Sequence, residues 1–207
     1  MPASEALVYV IDDEAPIRDS LAMLLRSVGL ASMLFPDAPS FLAAAPWRDH
    51  ACVIADVRMP GMSGLELQDE MRKRGSALPI IIVTGHGDIG MAVRAMKNGA
   101  ADFIEKPFNG QVLLDAVHRA LAHAAAPPAS AAMATEGDRE DLERRIASLS
   151  PREREVMTLV AEGLPNKSVA TRLDLSTRTV EVHRAKVMEK MGARSLAELV
   201  RMNIAAG

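Results

Sequence analysis

Five side chains suited to phosphate chemistry recur at one kind of place in this 207-residue sequence. Asp12 and Asp13 follow one short apolar run, Asp56 follows another, Thr84 ends a third and Lys106 follows a fourth. If those runs are strands of one parallel sheet, all five sit at carboxyl ends, where open α/β sheets bind their ligands. Three carboxylates packed together repel one another and are retained only around a cation. Oxygen donors with no His or Cys beside them point to Mg2+, which keeps waters for a phosphate to replace. Asp56 then reads as a carboxylate nucleophile that forms an aspartyl phosphate. Mg2+ and Lys106 neutralise the phosphoryl oxygens, and the Thr84 hydroxyl hydrogen-bonds one of them. Taken singly, each Asp reads equally well as a turn or helix cap and Lys106 as a solvated lysine; the coincidence of all five favours a site. Pro107 restricts Lys106 to extended backbone, and a cis bond there would aim the amine into the site.

The elements that must position these groups follow from the alternation of apolar runs with amphipathic stretches. Strands are expected at 6–11, 31–35, 51–55, 79–83 and 102–104, most of them apolar enough to be buried on both faces. Helices are expected at 16–28, 39–45, 64–74, 89–98 and 111–123, three of them closed by Gly29, Gly75 and Gly99. Five such units fold as a doubly wound parallel sheet. A small-residue stretch with a Pro pair, AAAPPASAAMAT at 124–135, then reads as linker. Helix-sized pieces without strand signal follow: a charged lead-in at 138–147, then 151–162, 167–173, 177–191 and 196–203. Ser150 to Glu153 forms a capping box with Pro151 at the first helical position, and Ser195 to Glu198 repeats the box.

Composition agrees with two different halves. With 49% apolar and 25% charged residues the chain is expected to be a soluble globular protein. No apolar run approaches the ~20 residues of a membrane helix, and no signal-peptide pattern opens the sequence, so neither a membrane span nor export is expected. The single cysteine, Cys52, fits a reducing cytoplasm and a small core residue. Residues 1–138 carry 11 basic against 17 acidic side chains, a net −6, while 139–207 carry 13 against 10, a net +3. An acidic half suits a cation and a basic half suits nucleic acid.

IDDE at 11–14, DVRMPGMSG at 56–64, VTGHGD at 83–88 and ADFIEKPF at 101–108 resemble the receiver domain of two-component response regulators, over residues 1 to about 124. The resemblance implies a five-stranded parallel sheet of order 2-1-3-4-5. It makes Asp56 the phospho-acceptor, and it gives Mg2+ to Asp13, Asp56 and the Arg58 backbone carbonyl, with Asp12 supporting through water. It makes Thr84 and Phe103 a switch pair and places dimer contacts near Val93 and Lys97. Position 103 is often Tyr in that family; Phe103 has no hydroxyl, which favours inward burial of the ring.

Two competing motifs fall away. Gly85 to Gly90 satisfies the dinucleotide-binding pattern G-x-G-x-x-G, but it follows the fourth strand, not the first, and no acidic residue ends a strand about 20 residues later except Glu105, beside Lys106. A phosphatase with an aspartyl nucleophile needs a second acid two residues on. Arg58 stands there, so Asp56 can accept a phosphoryl group but is ill equipped for rapid turnover. The histidines form no site: His118 and His123 point apart on one helix, and His50 and His86 lie in loops.

The pieces at 167–173 and 177–191 are spaced as a helix-turn-helix. Turned at 100° per residue, the second helix buries Val180, Val187 and Met191 with His183. It presents Arg178, Val182, Ala185 and Glu189, flanked by Glu181 and Lys186, a face suited to the major groove. LSPREREVMTLVAEGLPNKSVATRLDLSTRTVEVHRAKVMEKMGARS, at 149–195, resembles the LuxR-type (NarL/FixJ-type) DNA-binding domain. With the receiver wording, the whole chain is similar to FixJ-class regulators. That resemblance implies a four-helix DNA-binding domain at 142–207, after a linker at 125–141. It gives base contacts to Glu181, Val182 and Ala185, where several relatives carry lysines at the first and third. Phosphate contacts are expected from Lys167, Arg178, Arg184 and Lys186. Glu181 can accept from cytosine N4 and Val182 can pack on a thymine methyl.

The function expected is a cytoplasmic, phosphorylation-switched transcription factor and not an enzyme. A sensor histidine kinase would phosphorylate Asp56 and promote homodimerisation, and the partners would be promoter DNA and RNA polymerase. The alternatives are a nucleotide-binding or phosphatase-like α/β enzyme domain fused to a DNA-binding module, and a DNA binder independent of phosphorylation.

Overall fold

The structure is a computed structural model that describes residues 6–85, 89–125 and 136–206. By their contacts these residues divide into two compact units: 6–85 with 98–125, and 89–97 with 136–206. Residues 86–88 of the G-x-G-x-x-G stretch, and 126–135 of the expected linker, lie outside the described residues.

The first unit is a five-stranded sheet in which all adjacent strands are parallel, in the order β2-β1-β3-β4-β5. Its strands are β1 (Leu7–Ile11), β2 (Ala31–Phe35), β3 (Ala51–Asp56), β4 (Ile80–Thr84) and β5 (Asp102–Glu105). β1, β3 and β4 are buried along their whole length, as their apolar composition demands, whereas β2 lies at the edge and leaves Met33 and Leu34 exposed. Helices α1 (Ala15–Ser27) and α5 (Gly110–Ala125) cover one face. There Leu21, Leu25, Leu113, Val117 and Leu121 join Val8, Val10, Cys52, Ile54, Ile81 and Val83 in one core. Each such side chain, removed from water, contributes roughly 1.5–3 kcal/mol. The other face carries α2 (Ala38–Ala43) and α3 (Gly64–Lys73). Here Tyr9, Phe35 and Phe41 meet edge to face or tilted, and Trp47 stacks on Phe41 at 4.8 Å.

The second unit is helical: α6 (Glu136–Ala147), α7 (Pro151–Ala161), α8 (Asn166–Leu173), α9 (Thr177–Met191) and α10 (Leu196–Ala206), with α4 (Ile89–Lys97). Two boundaries differ from the sequence expectation. Residues 136–141, placed in the linker, lie in α6, whose start the sequence put at 138, and α7 to α10 are the four helices expected of the DNA-binding domain. The helix at 89–98, counted with the sheet, packs along α10. Gly163, just past the end of α7, also comes close to α4: a Cβ there would meet Gly90 Cα at 3.3 Å.

The capping signals act as written, with one variation. Ser150 Oγ accepts the Glu153 N–H and Glu153 Oε2 accepts the Ser150 N–H, a complete box. At α10 the Ser195 hydroxyl accepts the Glu198 N–H, but Glu198 takes the Arg194 N–H in return. Glu153 does more than cap. Its carboxylate, 5% exposed, also accepts from Lys190 Nζ at 2.6 Å, and this bond together with that of the Ser150 N–H holds its pKa down from 4.5 to about 2. A folded-state pKa below the unfolded one gives stability that is present above pH 4.5 and lost as pH falls toward 2. Thermal unfolding followed by helical circular dichroism is therefore expected to show a loss of midpoint between pH 4.5 and 2 that is smaller in Glu153→Gln; identical slopes would refute this role.

Candidate phosphorylation site and nucleic-acid interface

Four strand ends build the site. β1 stops at Ile11, and Asp12, 3% exposed, makes the turn into α1. Its Oδ1 accepts the Glu14 N–H at 2.9 Å, and its carbonyl accepts from Arg18 Nη1. Asp13 is exposed. β3 runs one residue further than expected, so Asp56 is its last residue, 8% exposed, with Oδ2 accepting the Arg58 N–H at 3.0 Å. Thr84, fully buried, likewise ends β4. From the end of β5, the Lys106 N–H donates to the Thr84 carbonyl at 2.7 Å. Its Nζ donates to Asp12 Oδ2 at 2.9 Å and lies 3.1 Å from Asp56 Oδ1. The Lys106–Pro107 bond is cis. Phe103 is buried on β5.

Burial pushes the Asp56 carboxyl above the usual carboxylate range. The neighbouring charge of Asp12 adds to this, and Lys106 with the Arg58 N–H offsets only part of it. For Lys106 burial alone would lower the pKa. The hydrogen bond to Asp12 and the charges of Asp56 and Asp12 outweigh it, and the ammonium is held above its ordinary value. The pocket thus keeps a cation ready at a carboxylate that is costly to leave charged.

The fit to a metal is a matter of donors. Among the described residues no three His, Cys, Asp or Glu side chains gather around one point. Asp13 faces solvent, and the Lys106 ammonium stands close to both Asp12 and Asp56. The donor set is nevertheless all oxygen, and Asp56 Oδ1, buried, makes only a charge contact with Lys106 and accepts no aligned hydrogen bond among the described residues. That oxygen chemistry fits a hard dication.

Two residues that shape the site were not singled out from the sequence. Arg18 holds the Asp12 carbonyl from one turn along α1. Gly64 opens α3 behind a Ser63–Glu66 capping box and donates its N–H to the Val57 carbonyl at 3.2 Å. A Cβ at Gly64 would overlap the Asp56 carbonyl oxygen and stand 3.0 Å from its carbon. The S-x-x-E spacing of the box was the available signal for the helix start; the close approach had none.

In the second unit α8 and α9 form the expected pair. Asp174 closes α8 with φ 54°, and Ser176 caps α9 by accepting the Thr179 N–H at 3.0 Å. Val180, Val187 and Met191 are buried, and His183 is half-buried with them. Arg178, Glu181, Val182, Ala185, Lys186 and Glu189 are exposed, Val182 by 49%, as is Lys167 on α8. Arg184 is partly covered and donates to Asn166 Oδ1 at 3.3 Å. On α4, Val93 is 3% exposed while Lys97 is exposed.

A sheet of order 2-1-3-4-5 with an acid pocket and a lysine at its carboxyl ends, in one chain with a helix-turn-helix, defines a phosphoacceptor joined to a DNA reader. The family model for the response regulator receiver domain matches residues 8–118, and that for bacterial regulatory proteins of the luxR family matches 147–203. The chain belongs to the two-component response regulators that carry a LuxR-type DNA-binding domain, and is a FixJ-like transcriptional regulator. It is 50% identical to transcriptional regulatory protein FixJ of Bradyrhizobium diazoefficiens, over 97% of this chain and 95% of that protein. It is 49% identical to FixJ of Rhizobium meliloti, over 97% and 96%. Among solved structures, full-length FixJ from B. japonicum aligns with a TM-score of 0.57 at 49% identity, covering 99% of this chain and 98% of that one. Among the described residues no helix is long and apolar enough to cross a membrane.

Proposed function

We propose that a sensor histidine kinase phosphorylates Asp56, and that the modified chain pairs with a second copy to bind promoter DNA in the cytoplasm and act on RNA polymerase. The observation that carries this reading is the Lys106 ammonium held between buried Asp12 and Asp56 beside Thr84. Asp12, Asp13, Asp56 and the Arg58 carbonyl are the groups that would hold one Mg2+, whose charge neutralises phosphoryl oxygens when bound. Asp56 supplies the attacking carboxylate oxygen. Lys106 offsets charge on the transferred group, and the Thr84 hydroxyl turns toward it, with Phe103 filling the space behind. With Arg58 where an acid would be needed to protonate a leaving group, the aspartyl phosphate persists, and dephosphorylation is at most slow.

Thr84, Phe103 and α4 form the element biased by the added charge. Pairing through Val93 and Lys97 requires α4 to expose Val93, which is buried in this conformer. Two linked DNA-binding domains then engage two half-sites at high effective concentration, with Glu181, Val182 and Ala185 toward bases and Lys167, Arg178, Arg184 and Lys186 toward phosphates. Footprinting on genomic fragments tests the whole chain of events: protection is expected with Mg2+ and a small phosphodonor together and is expected to weaken when either is withheld. Equal protection in all lanes would reduce the protein to a DNA binder independent of phosphorylation, and multiple turnovers of the donor would favour an enzyme.

A further inference from the structure

We infer that Arg145, on the helix that follows the linker, is a positioning residue for operator recognition, because it and Lys190 lock the C-terminal ends of α6 and α9 to each other. The inference rests on the DNA-binding reading above. Met191 is the last residue of α9, and its carbonyl is one of the groups that a helix leaves without an internal donor. The Gly192 and Ala193 N–H groups cover the Met188 and Glu189 carbonyls. The Met191 carbonyl accepts instead from Arg145 Nη1, at 2.7 Å. Asp141, one turn back on α6, aims that guanidinium, with Oδ2 at 2.7 Å from both Nε and Nη2.

The contact is reciprocated. Lys190, on the last turn of α9, reaches the Ser148 carbonyl just past the end of α6, at 3.1 Å, as well as Glu153. Each helix end, negative by its aligned peptide dipoles, therefore receives a cation from the other helix. Gly192 completes the fit: it turns with φ 66°, and a Cβ there would lie 2.5 Å from Arg145 Nη1. The positive φ disfavours a side chain at that point, and a Cβ would push the guanidinium away from where it meets the Met191 carbonyl.

Arg145 and Asp141 are each about 40% exposed, and exposed ion pairs add little stability. What the two ties fix is the rotation and axial setting of α9, which carries Glu181, Val182 and Ala185. Hydrogen bonds to base edges weaken steeply with misalignment, whereas contacts to phosphates tolerate it. Loss of the tie should therefore lower sequence discrimination and leave general DNA affinity in place.

The test uses the full-length protein with Mg2+ and a phosphodonor, titrated against the footprinted fragment and against a random duplex of equal length over a range of salt. Arg145→Ala is expected to lower the ratio of the two affinities about tenfold, the scale of one well-made base contact, with the salt dependence unchanged. Arg145→Lys should recover part of the ratio. Asp141→Asn should lower it in the same direction, and Asp141→Asn combined with Arg145→Ala should be no worse than Arg145→Ala alone. Thermal melts show whether Arg145→Ala folds; if it does not, Asp141→Asn and Arg145→Lys carry the test. An unchanged ratio overturns the inference. So does a parallel fall of both affinities with the salt slope reduced by about one, which would make Arg145 a phosphate contact. If the parent itself shows no preference for the footprinted fragment, the DNA-binding reading fails and takes this inference with it.

Discussion

Asp56→Asn is expected to abolish the added phosphoryl mass under donor and Mg2+ and, at the same time, to raise the unfolding midpoint. The two effects have one origin. Burial and the charge of Asp12 push the Asp56 carboxyl up, so its ionised form is disfavoured in the folded chain relative to the unfolded one. A raised folded-state pKa means that the acid contributes stability only at low pH and loses it as pH climbs through that value; at neutral pH the charge is a net cost. Asn keeps the shape and an acceptor for the Arg58 N–H without the charge, and Asp12 still engages Lys106. A higher unfolding midpoint is expected near pH 7. The gain should shrink as pH is lowered toward 4. Together with it, the affinity increase that donor treatment gives the parent, about 10²-fold if two half-sites are linked, should vanish. Calorimetry across pH and intact-mass measurement check both parts. A variant less stable than the parent at pH 7 would remove the electrostatic account, and donor-dependent DNA binding that survives in it would remove the switch.

Gly64→Ala should be the more damaging change, although it adds only one methyl group. Its Cβ would meet the backbone of Asp56, carbonyl oxygen and carbon both, and backbone at the end of a central strand has nowhere to go. Overpacking of that kind costs roughly 1–3 kcal/mol, and a reacting carboxylate displaced by about 1 Å loses on the order of 10²-fold in rate. Gly61, in the same loop, makes the control. It turns with φ 81° and faces open space, so Gly61→Ala should carry only the backbone penalty, about 1 kcal/mol. Denaturant unfolding and the initial rate of phosphorylation from a small donor separate the two. Equal rates for both alanine variants would show that Gly64 is not a spacing requirement.

These glycines show where the sequence is legible. The alternation of apolar runs with amphipathic ones locates all five strands and their helices to within a few residues, because burial on both faces leaves a strand few choices of residue. It also places Asp12, Asp56, Thr84 and Lys106 at one edge, since a parallel sheet puts every strand end of one sense together. Through-space closeness leaves no such trace. The approach of Gly64 to Asp56 and the grip of Arg18 on the Asp12 carbonyl join residues that no periodicity relates. The same holds for the crossing of Arg145 to Met191, 46 positions apart. The setting of α4 with α10 is of this kind too, for an apolar stripe such as Ala92, Val93, Ala95 and Met96 says that it will be covered but not by what. Helix α9 is readable on both faces because its burial follows a strict helical period, Val180, Val187 and Met191 in and Glu181, Val182 and Ala185 out.

The lone cysteine lends this protein a practical advantage. Cys52 is sealed near the start of β3, and burial lifts its thiol to about 12, so almost none of it is thiolate in neutral buffer. Alkylating dyes and nitroxides will pass it by. A cysteine introduced at an exposed position on α9 or beside Lys97 can carry a spectroscopic label in an otherwise natural chain, and distances between labelled copies can then be followed as phosphodonor is added.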